Sequence, residues 1–376
     1  MNPPFDLDHK NAIPFDTFDP FNENLIAGYL YRTPNSKYGM LYITHVNGMP
    51  AETIVWATPK MHYPLDKEGK FEWGRDIMAI NVYEKLDGTN ILAYTYKDAD
   101  GQEYVTYKTR LRPVIQDGTY GRFESMWREF LERVDVAELV RKNGCNLSFE
   151  LYGRRNKVLI EYDVSLDAKI LFGRGNSGEI IPPSELDVPS ELITPLITTI
   201  NPESDLNAEY ERIVQYLNEH IKVTEVDDEQ LIQGMEGSIW YAVTPRRVVQ
   251  YKAKPDIVRD IHFKAGAGIP PHAIYITCVN AFEESDEPTL EYIKELLREE
   301  FDEVAIERKH YAILRILQSV TFDKKFKAEI YEEYRQHTEF DIVADKGTVM
   351  RYFGPKYGKK ISGKVFKFLM DEFGGD

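Results

Sequence analysis

The stretch NVYEKLDGTN, from Asn81 to Asn90, runs an alternating apolar segment into a lysine and follows it at once with Asp87 and Gly88. Asp-Gly between two strand-like runs is a strong hairpin signal, and a turn is the ordinary explanation. The sharper explanation is a nucleophile. A lysine amine, which ordinarily titrates near pH ~10.4, attacks poorly at neutral pH. Partial burial or a cationic neighbour frees its lone pair. A strand end would hold Lys85 rigidly, and the glycine would let a ligand approach the backbone. Alone, Lys-x-Asp-Gly arises by chance in roughly one chain in ten of this length, so it needs company.

Later strands supply that company. LSFELYG places Glu150 between Phe149 and Leu151, and GMEGSIWYA places Glu236 before Gly237 at the opening of another apolar run. VVQYKAKP carries Lys252 and Lys254, which period two sends to one face. Two adjacent ammonium groups repel unless an anion lies between or above them, and a phosphate chain satisfies both. Taken singly, a surface acid or a solvated edge-strand lysine explains each of these residues better. The ordered set is what discriminates.

In that order the residues resemble the covalent nucleotidyltransferases over roughly residues 76–255. This superfamily contains ATP-dependent DNA ligases, RNA ligases and mRNA capping enzymes. Within it the chain is most similar to ATP-dependent RNA ligases. Asn90 in EKLDGTN is an amide where many DNA ligases carry arginine, and the segment after Lys254 reads as helices where DNA ligases and capping enzymes continue into an OB-fold. The resemblance implies an α+β fold: an antiparallel-sheet nucleotidyltransferase (ATP-grasp-like ligase) domain followed by an all-α C-terminal domain.

The resemblance also implies roles. Lys85 would attack the α-phosphate of ATP to form lysyl-AMP, AMP would pass to an RNA 5′-phosphate, and an RNA 3′-hydroxyl would displace it. Glu150 would hydrogen-bond the ribose. Phe172 in LDAKILFGRG, or Leu171 beside it, would stack on adenine. Arg110 in YKTRLRP, ahead of Arg112, would contact ribose and RNA. Glu84 and Asn90 would support the nucleotide. Glu236 would bind Mg2+ or Mn2+, directly or through water, and Lys252 and Lys254 would neutralise the α-phosphate. DNA ligation, guanylyl transfer in capping, and a non-catalytic RNA-binding protein on a ligase fold are the competing functions.

The elements that must position these residues read as follows. Residues 1–75 look like loops and short β-strands, with GYLYRT, GMLYITHV and ETIVWAT aromatic and β-branched. IMAINVYEK, NILAYTYK and EYVTYKTR are strands, the last two joined by the hairpin loop DADGQ. TYGRFESMWREFLERVDVAELVRKNG reads as one helix, with Phe123, Met126, Trp127, Phe130 and Leu131 at helical spacing. NLSFELYG, KVLIEYDV and KILFGRG return to strands, PESDLNAEYERIVQYLNEHI is a helix, and GSIWYAV with VVQYKAKP is a hairpin across TPRR. AGAGIPPHA is a linker, and beyond it the helical periodicity is continuous. The expected division is an adenylyltransferase domain over 1–264 and a helical domain over 265–376. The helical part is expected to pack independently, to shape substrate choice and to carry no chemistry.

Composition sets the outer bounds. The 376 residues suffice for two or three cores, and 43% hydrophobic with 29% charged residues is ordinary for a globular protein. No apolar run reaches the 18 or so residues of a membrane span, and the acidic, proline-rich N-terminus lacks the layout of a signal peptide. Cys145 and Cys278 have no zinc or redox spacing and read as reduced and buried, in a cytoplasmic protein of cellular or viral origin. A net charge of -16 argues against indiscriminate nucleic-acid binding. From Lys346 to Lys367, however, there are seven Lys or Arg and no acid, a candidate RNA-facing segment. Its ordinary alternatives are a solvated face that balances an acidic body, or helices that pair two subunits into a homodimer.

Overall fold

The computed structural model describes residues 2–32, 36–59, 61–66, 69–117, 122–226, 229–256, 269, 271–298, 301 and 303–374. Its first four strands, β1 (Ala12–Asp19), β2 (Asn24–Tyr31), β3 (Leu41–Val46) and β4 (Met49–Val55), form an antiparallel meander. The β3–β4 turn is Asn47-Gly48, both at positive φ, which suits a two-residue hairpin. β1 gives little sequence signal: it contains Pro14 and most of its residues are exposed or half-buried.

The central sheet has five strands in the order β10-β9-β8-β6-β7. These are β6 (Thr89–Lys97), β7 (Glu103–Lys108), β8 (Asn146–Tyr152), β9 (Asp167–Arg174) and β10 (Ile180–Ile181). β6 shows why it is central. Leu92, Tyr94 and Tyr96 pack against the N-terminal sheet, while Ile91 and Ala93 pack on the opposite face beneath Trp127 and Phe130. Period two thus joins two cores through one strand.

The third sheet runs β11-β5-β14-β15: β5 (Ala79–Lys85), β11 (Leu196–Ile200), β14 (Gly237–Val243) and β15 (Val248–Ala253). Ile80, Val82, Trp240 and Ala242 point to helix α3 (Leu206–His220) through Tyr210, Ile213 and Leu217. The alternate residues Tyr83, Ile239 and Tyr241 point the other way and meet Phe172 of the central sheet. The cleft between the two sheets is therefore dictated by alternation. A short hairpin, β12 (Lys222–Val226) and β13 (Glu229–Gln233), lies outside these sheets.

Two expected elements differ. The single helix expected over 119–144 is two, α1 (Phe123–Leu131) and α2 (Val136–Asn143). The Asp135 side chain accepts the Glu138 N–H at 2.9 Å and starts a new N-terminus. The apolar run KVLIEYDV forms no strand; it makes only an isolated bridge between Ile160 and Ile232.

Beyond residue 270 the described elements are helices: α4 (Pro271–Glu284), α5 (Leu290–Leu297), α6 (Glu303–Arg308), α7 (His310–Gln336), α8 (Lys346–Tyr357) and α9 (Lys359–Phe373). The 27-residue α7 is about 40 Å long and links two apolar cores. Most of the expected linker, and residue 264 itself, lie outside the described residues. The chain is thus mixed α+β with antiparallel sheets and a C-terminal helical region. Among the described residues no helix is long and apolar enough to cross a membrane. Cys145 and Cys278 are free and buried.

Candidate active site

Lys85 is the last residue of β5, two positions beyond Tyr83, so alternation turns it into the cleft. Its ammonium donates to one oxygen of Glu236, and the Lys254 ammonium holds the other oxygen at 2.8 Å. Glu236 is 4% exposed and Lys254 8%. Burial alone would raise the Glu236 carboxyl, but the charges of Lys254 and Lys85 outweigh it and hold the group at about 2. The site therefore holds an acid whose ionised form is strongly favoured, with a lysine nitrogen on each oxygen.

Asp87 and Gly88 are not an exposed hairpin turn. Asp87 is buried; its Oδ2 accepts the Leu159 N–H at 2.5 Å and the Ile160 N–H at 2.7 Å, and its own N–H donates to the Tyr162 hydroxyl at 2.8 Å. This explains why KVLIEYDV is not a strand: its amides are turned onto Asp87. Burial and the Glu236 charge raise the Asp87 carboxyl to about 6 against the pull of Lys85. A Cβ on Gly88 would come within 2.1 Å of the Leu151 carbonyl oxygen, so only glycine fits between β5 and β8.

Glu150 lies on β8, on the face opposite Phe149 and Leu151, and its Oε1 accepts the Gly88 N–H at 3.1 Å. Burial, only partly offset by Lys85, pushes its carboxyl to about 8. Burial thus favours the protonated form of Glu150, which has a hydroxyl to donate. Glu84 is also raised by burial.

These side chains share one cavity of about 340 Å³. Of the site residues singled out from the sequence, all but Arg112 line it: Glu84, Lys85, Asn90 and Arg110 from the β5–β7 region, Glu150 and Phe172 from the central sheet, Glu236, Lys252 and Lys254 from the third. Leu171 lines it too. Phe172 packs with Tyr83, Ile239 and Tyr241, which makes an apolar slot beside the charged group. Lys252 lies over the Tyr63 ring at 4.7 Å. Asn90 is used by the fold: its Oδ1 accepts from Thr58 at 2.7 Å, and its Nδ2 donates to Ser148 Oγ at 2.9 Å and to the Phe149 carbonyl at 3.0 Å. Arg110 sits just past the end of β7, not on the strand, and its guanidinium lies over the Tyr38 ring at 5.9 Å. Arg112 turns away to pair with Asp286 at 3.1 Å.

No protein-family model matches the chain, and no curated protein does. Among solved structures it aligns with an archaeal ATP-dependent RNA ligase, form 2, at 15% identity and a TM-score of 0.47, over 86% of this chain and 76% of that one. Form 1 gives 14%, 0.45, 84% and 75%. A variant of a Naegleria gruberi RNA ligase with ATP and Mn gives 11% identity and a TM-score of 0.35, over 55% of this chain and 57% of that one.

The cavity also contains residues that sequence reasoning missed. Tyr38 comes from a loop between apolar runs, and Thr58 closes the run ETIVWAT just beyond the end of β4, where no periodicity marks it. More unexpected is the helical region. Thr277, Asn280 and Glu284 form one row of α4 and line the same cavity as Lys85, joined by Leu297 of α5. The helices are thus a wall of the site. The basic segment is less free than its sequence suggests. Lys356 pairs with Glu333 at 2.6 Å and Lys364 with Asp323 at 3.0 Å, both acids on α7, while the side chains of Lys359 and Lys360 lie outside the described residues.

Proposed function

We propose that the chain is an ATP-dependent RNA ligase that works through a lysyl-AMP intermediate. The observation that carries this reading is the meeting of Lys85, Glu236 and Lys254 in one cavity, beside an apolar slot of Phe172, Ile239 and Tyr241 that suits a nucleobase. The Lys85 amine attacks the α-phosphorus of ATP; a P–N bond forms and the bond to pyrophosphate breaks. Glu236, held at about 2, orients the Lys85 nitrogen and is too weak a base to take its protons: the ammonium proton passes to solvent as the nucleotide enters, and the proton lost on P–N bond formation leaves with pyrophosphate. Lys252 and Lys254 stabilise charge on the phosphates, because phosphoryl transfer depends mainly on positioning and electrostatics. The protonated Glu150 donates to a ribose oxygen. AMP then moves from Lys85 to an RNA 5′-phosphate, and a 3′-hydroxyl displaces it to seal the strand.

Magnesium or manganese fits this scheme as an ion that arrives with the nucleotide. Among the described residues no three His, Cys, Asp or Glu side chains converge to hold a metal. Such ions need only one or two carboxylates when phosphates supply the remaining oxygens, and Glu236 would be that carboxylate. When bound, the ion would neutralise charge on the phosphates. RNA is favoured over DNA or a capping role because the elements described beyond Lys254 are helices and supply a cavity wall. The test is incubation with α-labelled ATP and magnesium, denaturing electrophoresis and peptide mapping. Label on Lys85, lost in Lys85→Ala, is expected. Label elsewhere, or uptake by the variant, would sink the reading. Labelled GTP, nicked DNA and single-stranded RNA as alternative substrates separate capping and DNA ligation from RNA ligation.

A further inference from the structure

Lys108, the last residue of β7, is 1% exposed. A buried ammonium ordinarily needs a carboxylate partner, because leaving water costs several kcal/mol. Here the Nζ instead donates to three backbone carbonyls: Thr109 at 2.7 Å, Arg110 at 2.9 Å and Gly39 at 3.2 Å. An ammonium has three N–H groups, so the set is complete. The carbonyls belong to two loops far apart in sequence. One, residues 36–40, carries Tyr38; the other, residues 109–112, carries Arg110. Both side chains line the cavity, and the Arg110 guanidinium lies over the Tyr38 ring. The loops touch so closely that a Cβ on Gly39, at φ +83°, would come within 2.5 Å of the Arg110 carbonyl oxygen.

We propose that Lys108 is a positioning residue that pins these two loops together and so presents Tyr38 and Arg110 as one wall of the cavity. The proposal rests on the reading of the cavity as a nucleotide site. Burial, and then the Arg110 charge, pull the Lys108 ammonium down to about 7, and the Glu284 charge on α4 opposes them.

The test uses the full chain with Lys108→Met, which keeps the length and removes the donors. The dissociation constant for ATP should rise about tenfold, as in Arg110→Ala. The double variant Lys108→Met/Arg110→Ala should lie within about twofold of Arg110→Ala alone, because residues that act through one another are not additive. Amide hydrogen exchange should quicken in residues 36–40 and 109–112 and stay unchanged in β14. Additive losses, or normal affinity with normal exchange, would overturn the proposal. If the wild-type chain neither binds nor takes up ATP, the proposed function fails, while exchange in the two loops still decides the role of Lys108. Should Lys108→Met not fold, Lys108→Gln, shorter and with fewer donors, replaces it with the same expected direction; unchanged loop exchange in that variant overturns the proposal.

Discussion

Gly237 is the cross-strand partner of Lys85 in the β5–β14 pair. Because Glu236 immediately precedes it, the register itself delivers a carboxylate to the lysine. A Cβ on Gly237 would stand 2.3 Å from the Ala253 carbonyl oxygen, next to Lys254. Gly237→Ala must therefore push β15 away and separate Lys254 from Glu236. We expect a stability loss of about 1–3 kcal/mol and a fall in adenylylation larger than that loss explains. Urea titration beside a label-uptake assay measures both, and uptake that merely tracks the folded fraction would contradict the register argument.

Glu150 should govern a pH dependence of stability. Its carboxyl moves from 4.5 to about 8 on folding, so the folded chain keeps a proton that the unfolded chain releases. The associated stability is complete below about pH 4.5 and is lost as pH rises through about 8. The loss is at most about 1.4 kcal/mol per pH unit in that window. Glu150→Gln cannot ionise. Its melting temperature relative to wild type should climb from pH 5 to pH 8 and level off above; a constant difference would mean that Glu150 is ionised in the fold.

The α4 wall predicts that bulk introduced from the helical region blocks the nucleotide. Thr277→Trp should reduce adenylylation at least tenfold while the melting temperature changes little, since Thr277 is only half-buried. Full activity in a folded Thr277→Trp protein would place the wall outside the working site.

Lys356 and Lys364 are neutralised by Glu333 and Asp323. Reversal of both to glutamate should change RNA affinity by less than about threefold and leave its salt dependence nearly intact. A large loss, with a flatter salt slope, would return this face to the RNA.

Much of this was legible in the sequence because the chemistry-bearing residues sit on alternating strands, and alternation fixes the face. Tyr83 and Lys85, or Ser148 and Glu150, could be assigned to one side without any tertiary knowledge. Other features depend on partners distant in the chain. KVLIEYDV has the composition of a strand, yet Asp87 claims the amides of Leu159 and Ile160. The helix break at Asp135 was visible in principle, since Asp135 and Glu138 have capping spacing, but the apolar period continues on both sides and masked it. Nothing in Thr277, Asn280 or Glu284 announces a cavity; only the docking of α4 makes them part of one.

The Glu236 carboxylate, with an ammonium on each oxygen, has a consequence for affinity. It is a resident competitor. An incoming phosphate does not meet bare cations; it must exchange with an anion already seated there, so the free energy of binding is the difference between two similar pairings. Glu236→Gln removes the competitor along with the orienting charge. We expect that variant to bind ATP more tightly than wild type in equilibrium dialysis without divalent metal, while it transfers AMP to Lys85 more slowly when metal is present, and weaker metal-free binding would show that phosphate and carboxylate do not contest the same lysines. At this position occupancy and turnover are set against each other.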